Sequence, residues 1–512
     1  MHKPLYNIAM LALALALGAC SVNPVTGERE LVLMSEAQEL QLGKQAYFAS
    51  QQAEGGEYDV DPELTRYVQD VGHRLAAVSD RKLPYEFVVL NNSVPNAWAL
   101  PGGKIAINRG LLTELNSEAE LAAVLGHEIV HAAARHSAQQ QTRGLLSQAL
   151  VVATAVVAND SEYGALAVGS ANIGAQLLNA RYGRSAELES DKYGMEYMSR
   201  AGYDPIGAVH LQETFVRLNS ERKSDWINGL FASHPPSQER VAANRDTAAQ
   251  LPAGGKIGAD IYKLKMQQTR TTAAAYKTYD EGRKALSDGD TATALKLANQ
   301  AIEQFPKEAH FYALKGDVRL REKKYDTAIS DYSRAISRRE DFFYYHLQRG
   351  LAKKQRGDRS GAKQDLERSV QLMPTAPAEY ALGNIAEQNG NLDQAIAHYR
   401  VVAKDGGNYG AAASAALLTL DLPRNPGNYI KHACAADAAA NLVVSVQNRA
   451  GIAVGNVVVG IEYTDSAGRI RQSTKKISGT LQPGQIAQVN TGLGPYTGST
   501  CPVRVLGASV VN

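Results

Sequence analysis

The chain is poor in several features that would announce a class of protein. Charge of one sign is the first: 54 Lys and Arg against 52 Asp and Glu leave a formal +2, which gives no support for nucleic-acid binding. Long hydrophobic runs are the second. Ile8 to Leu17 is too short to span a bilayer, where a helix needs about 20 residues, and so is the apolar, small-residue-rich stretch Leu145 to Ala158, which reads as a buried or interfacial helix. Cysteine is the third, with three in 512 residues, at 20, 434 and 501. What remains is the composition of folded soluble protein, 44% hydrophobic and 21% charged. The chain is too long for one core, and at about 100 to 200 residues per domain three or four units are expected.

Lys3 gives a basic start before the Ile8 to Leu17 run, so residues 1–19 read as a secretory signal. Its end, Leu17-Gly18-Ala19-Cys20, resembles the bacterial lipobox, in which cleavage leaves the cysteine first and acylated. The resemblance implies lipidation of Cys20 and stable anchoring, since each buried methylene contributes about 0.8 kcal/mol. Ser21 in place of Asp implies sorting to the outer membrane of a Gram-negative bacterium, facing the periplasm. Cys434 and Cys501 are then left as an even pair. A disulfide between them would contribute roughly 4 kcal/mol by the loop-entropy model.

From Ser35 to about Ile261 the chain reads as helix-rich, with strand candidates at Tyr85 to Leu90 and Lys104 to Asn108. After the breaker Leu251-Pro252-Ala253-Gly254-Gly255 a repeat sets in. Gly282, Gly316, Gly350 and Gly383 are spaced 34, 34 and 33 apart, and Ala294, Ala328, Ala362 and Ala395 follow twelve residues behind. Two small-residue positions in phase resemble the tetratricopeptide repeat, in which antiparallel helix pairs stack around a concave groove. Beyond Leu422 to Asn428, β-branched runs such as Leu442 to Val446 and Val457 to Tyr463, separated by turn signals, predict a small β-sandwich.

The chemistry-bearing pattern lies in the first part. Ser117 and Glu120 form a capping-box pattern ahead of an apolar helix that contains His127, Glu128 and His131. At a spacing of four the two histidines stand one turn apart, while Ala122, Leu125, Ile129 and Ala133 take the core side. Two imidazoles on one ion, an open position for water and a neighbouring carboxylate as base are the parts of a zinc hydrolase. A metzincin would need Gly at 134 and His at 137, where Ala134 and Ser137 stand. His136 is out of register and reads as a surface residue. A carboxylate from a second helix must then complete the site, and Ser185 to Gly194 offers Glu187 and Asp191 on one face, with Glu189 pointing elsewhere.

Here the sequence resembles the zinc metallopeptidases related to HtpX and the CAAX prenyl protease, which carry E-x-x-A-D at this place; Ser190 stands for their Ala. The resemblance implies Glu187 as third ligand and Asp191 as the residue orienting a ligand histidine. Asn96-Ala97-Trp98-Ala99-Leu100-Pro101-Gly102-Gly103-Lys104 resembles the family's N-A-[FW]-x-x-P-G-G strand. It implies an edge that pairs with extended substrate, with Asn96, Ala97, Trp98, Gly103 and Lys104 as substrate-binding residues. His234-Pro235-Pro236 with Arg240 resembles H-P-P-x-x-x-R. That places Arg240 near an acidic residue of the site, and gives His234 a part in oxyanion stabilisation or in reversible occupation of the zinc's open position. Asn23-Pro24-Val25-Thr26-Gly27 resembles the opening of the lipidated members. The spanning helices of the integral-membrane relatives are not evident, which disfavours prenylated substrates.

The expected architecture is a signal peptide (1–19), a mainly α zincin-like metallopeptidase domain with a small β-sheet (20–262), an α-solenoid of tetratricopeptide repeats (272–408) and a small β-sandwich (430–512). Peptidase plus repeats resembles the BepA-like branch, which acts in outer-membrane protein quality control. The implied function is a zinc metalloendopeptidase with one Zn2+ per chain that cuts misfolded or misassembled periplasmic and outer-membrane proteins. Unfolded envelope proteins are the expected partners, with outer-membrane assembly machinery reached through the repeats, the membrane held by the lipid anchor and no nucleic acid. The alternative is a repeat-based chaperone or assembly factor with a latent or structural metal site. Glu128 speaks against a purely structural one, which needs no base.

Overall fold

The computed structural model describes residues 20–150, 182–221, 228–465, 468–494 and 501–511. The signal segment 1–19 lies outside them, as do residues 151–158 of the Leu145 to Ala158 stretch, whose first six residues close the helix His136–Leu150. Among the described residues no helix is long and apolar enough to cross a membrane. The chain forms two compact units that divide between Thr375 and Ala376.

The first unit opens with a hairpin of β1 (Cys20–Val22) and β2 (Arg29–Leu31), followed by a helix Glu36–Ala53 that Ser35 and Gln38 close with a reciprocal capping box. Its sheet has β3 (Glu86–Leu90), β4 (Ala97–Leu100) and β5 (Lys104–Asn108) in the order β3-β5-β4, with β3 parallel and β4 antiparallel to β5. The strand period of two divides the side chains cleanly. Phe87, Val89, Ala97, Ala99, Ile105 and Ile107 join one core with Leu121, Leu125 and Ile129 of the histidine helix (Glu118–Ala133). Val88, Leu90, Trp98, Leu100 and Ala106 join another with Ala46 of the first helix. The histidine helix is therefore sealed under the sheet, and all of its residues are buried. Ser117 caps it by accepting from Glu120 N–H, but the Glu120 carboxylate turns one residue further back, to Asn116 N–H.

Three helix pairs of the repeats belong to this same unit: Gln267–Ser287 with Thr291–Gln304, Ala309–Arg321 with Tyr325–Arg338, and Phe343–Arg356 with Arg359–Leu372. The phase of their glycines has a steric cause. A Cβ on Gly316 would stand 2.7 Å from the ring of buried Tyr332, and one on Gly350 would stand 2.9 Å from Leu366. The partner helix occupies the space that a side chain would take. Buried polar contacts join these repeats to the peptidase part. Glu308 accepts from Asn91 Nδ2 (3.0 Å) and from Tyr276 Oη, while Gln52 donates to Asp341 O and accepts from Phe343 N–H, both at 2.9 Å. The repeats up to Thr375 thus share a unit with the three-stranded sheet and the histidine helix and are not a module apart from them.

The second unit holds a fourth pair, Ala376–Gln388 with Leu392–Val402, a helix Gly407–Asp421, and two three-stranded antiparallel sheets. Their orders are β10-β7-β6 and β11-β8-β9, with β6 Ile430–Ala436, β7 Leu442–Asn448, β8 Val454–Thr464, β9 Ile470–Lys476, β10 Ile486–Asn490 and β11 Val503–Val510. Leu442, Val444 and Val446 of β7 meet Val457, Val459 and Ile461 of β8 in one apolar cluster. A disulfide joins Cys434 on β6 to Cys501, two residues before β11, with 5.8 Å between Cα atoms.

The glycine contacts give a stability prediction. Gly316→Val drives a side chain into Tyr332 and is expected to lower the thermal unfolding midpoint, by overpacking of about 1–3 kcal/mol. Gly451→Ala, where a Cβ meets nothing within 4 Å, is expected to stay within about 0.5 kcal/mol of the parent. Equal midpoints for the two variants would refute this account.

Candidate metal centre

Two helices build the site, and two glycines let them approach. A Cβ on Gly126 would stand 3.0 Å from Gly194 O, and one on Gly194 would stand 3.0 Å from His127 N. The histidine helix and the carboxylate helix (Arg184–Arg200) therefore cross backbone to backbone beside His127. Glu187, Asp191 and Gly194 lie at i, i+4 and i+7 of the carboxylate helix, on the one face that meets the histidines.

His127 Nε2 and His131 Nε2 stand 2.9 Å apart. Glu187 reaches them with Oε2 3.6 Å from His127 Nε2 and Oε1 3.4 Å from His131 Nε2. His234 Nδ1 lies 3.3 Å from His127 Nε2 and 2.9 Å from Glu187 Oε1. One donor atom from each of these four buried residues falls within 4.8 Å of all the others. His234 follows the short helix Asn228–Ser233, so a third element brings it in.

The outer hydrogen bonds constrain the tautomers. His127 Nδ1 bonds Asp191 Oδ1 at 2.9 Å, and His131 Nδ1 bonds His136 Nδ1 at 2.8 Å. The Asp191 carboxylate puts the His127 proton on Nδ1; the His131–His136 contact fits either direction, and with His131 Nδ1 as its donor two Nε2 lone pairs face each other at 2.9 Å. Burial holds the His131 imidazole well below its usual pKa, so a proton does not relieve the repulsion. A cation does. Buried Glu187 Oε2 and Glu128 Oε2 also have no hydrogen-bond partner. Two imidazole nitrogens and a carboxylate, with one further donor, are a set that zinc accepts. These residues fit a metal.

Asp191 is in turn clamped by Arg240, whose Nε donates to Oδ2 and Nη2 to Oδ1, both at 2.7 Å. Burial alone would lift the Asp191 carboxyl; the Arg240 guanidinium and His127 outweigh it and hold the carboxyl below its usual range. Arg240 Nη1 also sits 2.8 Å from Glu187 Oε2, an ion pair without hydrogen-bond alignment. Glu128 differs from both. Burial raises its pKa, and its nearest cationic group is His234 Nε2, 3.7 Å from Oε1.

His136 is not the surface residue that its register suggested: it is 3% exposed. The histidine helix ends at Ala133, and two residues on Arg135 takes a left-handed φ of 64° and turns the chain so that His136 aims back at His131. Arg135 is held there by Glu39, Ser21 Oγ and Met34 O. On its far side His136 Nε2 lies 3.4 Å from Glu189 Oε1, which also accepts from Asn23 Nδ2 at 3.0 Å. Each ligand histidine therefore has an outer partner, Asp191 behind His127 and the His136–Glu189 pair behind His131. Sequence reasoning also passed over Tyr182, whose ring stacks on His131 with centroids 3.9 Å apart. Gly126 and Gly194 had a legible signal, a glycine next to a ligand and another seven residues after one. Tyr182 had none.

The residues expected to bind substrate divide. Ala97 lines a small, mostly apolar pocket with His127, Glu128, Met195, Phe215 and Leu230. β4 is the sheet edge, with no strand on its outer side among the described residues. Asn96 O accepts from Asn108 N–H at 2.8 Å and fixes the start of that edge. Trp98 faces the other way, edge-on to Tyr47 at 6.2 Å. Gly103 forms the turn at φ 81°. Lys104 lies on the central strand between Glu86 and Leu100 and pairs with the Glu86 carboxylate, so its backbone is already used on both sides. The edge is Ala97 to Leu100; Gly103 and Lys104 are not on it.

Residues 62–248 match the model of peptidase family M48, and residues 279–341 and 347–410 match the tetratricopeptide repeat. A putative β-barrel assembly-enhancing protease of Vibrio cholerae is 33% identical over 203 residues, covering 38% of this chain and 40% of its own. The β-barrel assembly-enhancing protease of Escherichia coli K12 is 28% identical over 265 residues, 50% of this chain and 51% of its own. Metalloprotease YcaL of the same strain is 31% identical over 172 residues, 32% of this chain and 63% of its own. The chain spans about half or less of the length of the two β-barrel assembly-enhancing proteases. With the two histidines and Glu187 converging inside the matched segment, the chain contains a peptidase family M48 domain joined to tetratricopeptide repeats.

Proposed function

We propose that this chain is a zinc metalloendopeptidase of the bacterial envelope, with one Zn2+ per chain held by His127, His131 and Glu187. The observation that carries the reading is the pair of Nε2 lone pairs meeting at 2.9 Å beside a buried carboxylate, Glu128, that has no hydrogen-bond partner on Oε2. Bound there, zinc supplies Lewis acidity and lowers the pKa of water in its open position. Glu128 takes the proton of the attacking water and returns it to the departing amine, a role that its burial-raised pKa suits. Asp191 and Arg240 hold the His127 ring, and His136 with Glu189 holds that of His131. His234 would stabilise the oxyanion when substrate is present and offer its Nδ1 to the metal when it is not, since that atom already lies 3.3 Å from His127 Nε2 and 2.9 Å from Glu187 Oε1.

The free edge of β4 supports a substrate added as an extended strand, read through its backbone. Only non-native or looped segments offer such a strand, and the apolar cavity beside Glu128 suits one apolar side chain from it. Misfolded or misassembled periplasmic and outer-membrane proteins are the substrates that this selects. The repeats supply the capture surface. Their inner helices line a groove of about 420 Å³ with Leu286, Leu314 and Leu320 among Arg283, Asp317 and Arg321. Outer-membrane assembly machinery is the second partner that we assign to it. Cys20 is the acylation site, tying the protein to the outer membrane with its body in the periplasm.

Two measurements test the centre. Glu128→Gln removes the base and leaves the ligands, so it is expected to keep stoichiometric zinc and to lose about 10²- to 10⁴-fold in kcat on an unfolded outer-membrane protein. Undiminished cleavage by that variant would remove the mechanism. Should the Glu128→Gln strain keep a normal envelope while a strain lacking the whole protein does not, a chaperone with a latent site would be the better description. His136→Gln is expected to weaken zinc binding about 10- to 100-fold in chelator competition, with the fold intact by circular dichroism. Unchanged affinity would confine His136 to packing.

A further inference from the structure

We infer that the outer face of the N-terminal hairpin is a membrane-contact surface whose partner is the lipid bilayer itself; this rests on the reading of Cys20 as acylated. The hairpin is two-sided. On one side Ser21 Oγ accepts from Arg135 at 2.9 Å, the Glu30 carboxylate accepts from Gln139, and Val32 is buried. The turn is tied as well. Asn23 Oδ1 accepts from Val25 and Thr26 N–H, its Nδ2 donates to Glu189, and Gly27 closes the loop at φ 76°. The Asn-Pro-Val-Thr-Gly segment is thereby explained as a folded turn docked on the catalytic body.

The alternate positions are exposed and apolar, against the ordinary pattern for a solvated strand. Val22 is 56% exposed, Leu31 41% and Leu33 49%. Arg29, which pairs with Val22 across the ladder, adds one cation at the same edge. Cys20 pairs with Leu31. Cys20 is bonded directly to the anchored Ser21, about 3.8 Å between Cα atoms. Acyl chains on Cys20 enter the bilayer at its interface, so no slack remains between that interface and the hairpin. An apolar face lying within such reach inserts about 5–10 Å into the headgroup and acyl boundary. The catalytic unit is therefore seated on the membrane, not suspended from it by a tether.

The test uses the full chain, expressed with residues 1–19 so that Cys20 is processed, and reconstituted into phosphatidylethanolamine and phosphatidylglycerol vesicles carrying doxyl-labelled lipid. Leu31→Trp and Leu33→Trp each place a fluorophore on the face, and Leu264→Trp places one at an exposed position elsewhere. Mass spectrometry of the N-terminal peptide reports acylation in every sample. The expected result is an acylated protein in which the added fluorescence of Leu31→Trp and Leu33→Trp is blue-shifted and quenched by the lipid label, and that of Leu264→Trp is not. An acylated protein with no more quenching at 31 and 33 than at 264 overturns the membrane contact and leaves the anchor standing. An N-terminal peptide without acyl chains overturns the anchor reading and the contact with it.

Discussion

The backbone crossing of Gly126 on Gly194 is the constraint on which the centre depends. A metal site made from two helices needs its donors within a few ångströms, whereas helices separated by ordinary side chains run 8–10 Å apart. Removing both Cβ atoms at the crossing brings His127 N to 3.0 Å from where a side chain at 194 would begin. Glu187, two turns earlier, then meets His127 and His131 without a long reach. An alanine at either position would require the facing backbone to give by a few tenths of an ångström, shifting the donors that the two helices carry.

Close approach sets the ligands, and burial sets their chemistry. In water a pair of imidazoles at 2.9 Å would be harmless; in a sealed interior, with both Nδ1–H groups donating outward, two lone pairs face each other and His234 Nδ1, 3.3 Å from His127 Nε2, is placed to donate to only one of them. The outer supports differ in kind. Behind His127 stands a charged pair, Asp191 with Arg240, whose opposite charges compensate each other's desolvation. Behind His131 stands a second imidazole relaying to Glu189. The first fixes orientation by strong charge-assisted bonds. The second links the ligand to Asn23 and hence to the hairpin.

The parts of this molecule that were legible in its sequence follow a period or a cap. The 34-residue phase of glycine and alanine located the helix pairs, because a glycine facing Tyr332 leaves a trace wherever the unit recurs. The four-residue step from His127 to His131 and from Glu187 to Asp191 gave faces; the choice of Glu187 as ligand was implied by the family resemblance and not by spacing. What stayed hidden depends on turns of the backbone that no period encodes. His136 looked solvent-facing because helical register was extended across Arg135, where a left-handed residue breaks it. Lys104 looked like part of an edge because a motif runs through it, while the hairpin at Gly102 and Gly103 puts Leu100 on the edge and Lys104 in the centre. Single-chain spacing also carries no record of the burial of Glu308 between Asn91 and Tyr276.

That last contact bears on how capture and cleavage are joined. Asn91 ends the loop's approach from β3, and the next residues lead through Asn96 into the edge strand β4. Glu308, buried at the start of the helix Ala309–Arg321, holds Asn91 from the repeat side, while Arg109 Nη2 holds Ser93 and its guanidinium lies 3.5 Å over the Tyr276 ring. A buried carboxylate stripped of Asn91 would keep its desolvation cost and lose its compensation, so the junction resists sliding. The groove of the first three repeats and the free edge of β4 are consequently held in fixed register within one compact unit. Under the proposed function, a chain captured in that groove would meet an edge fixed relative to it, and the ordering cost of bringing substrate to the centre would fall mainly on the substrate.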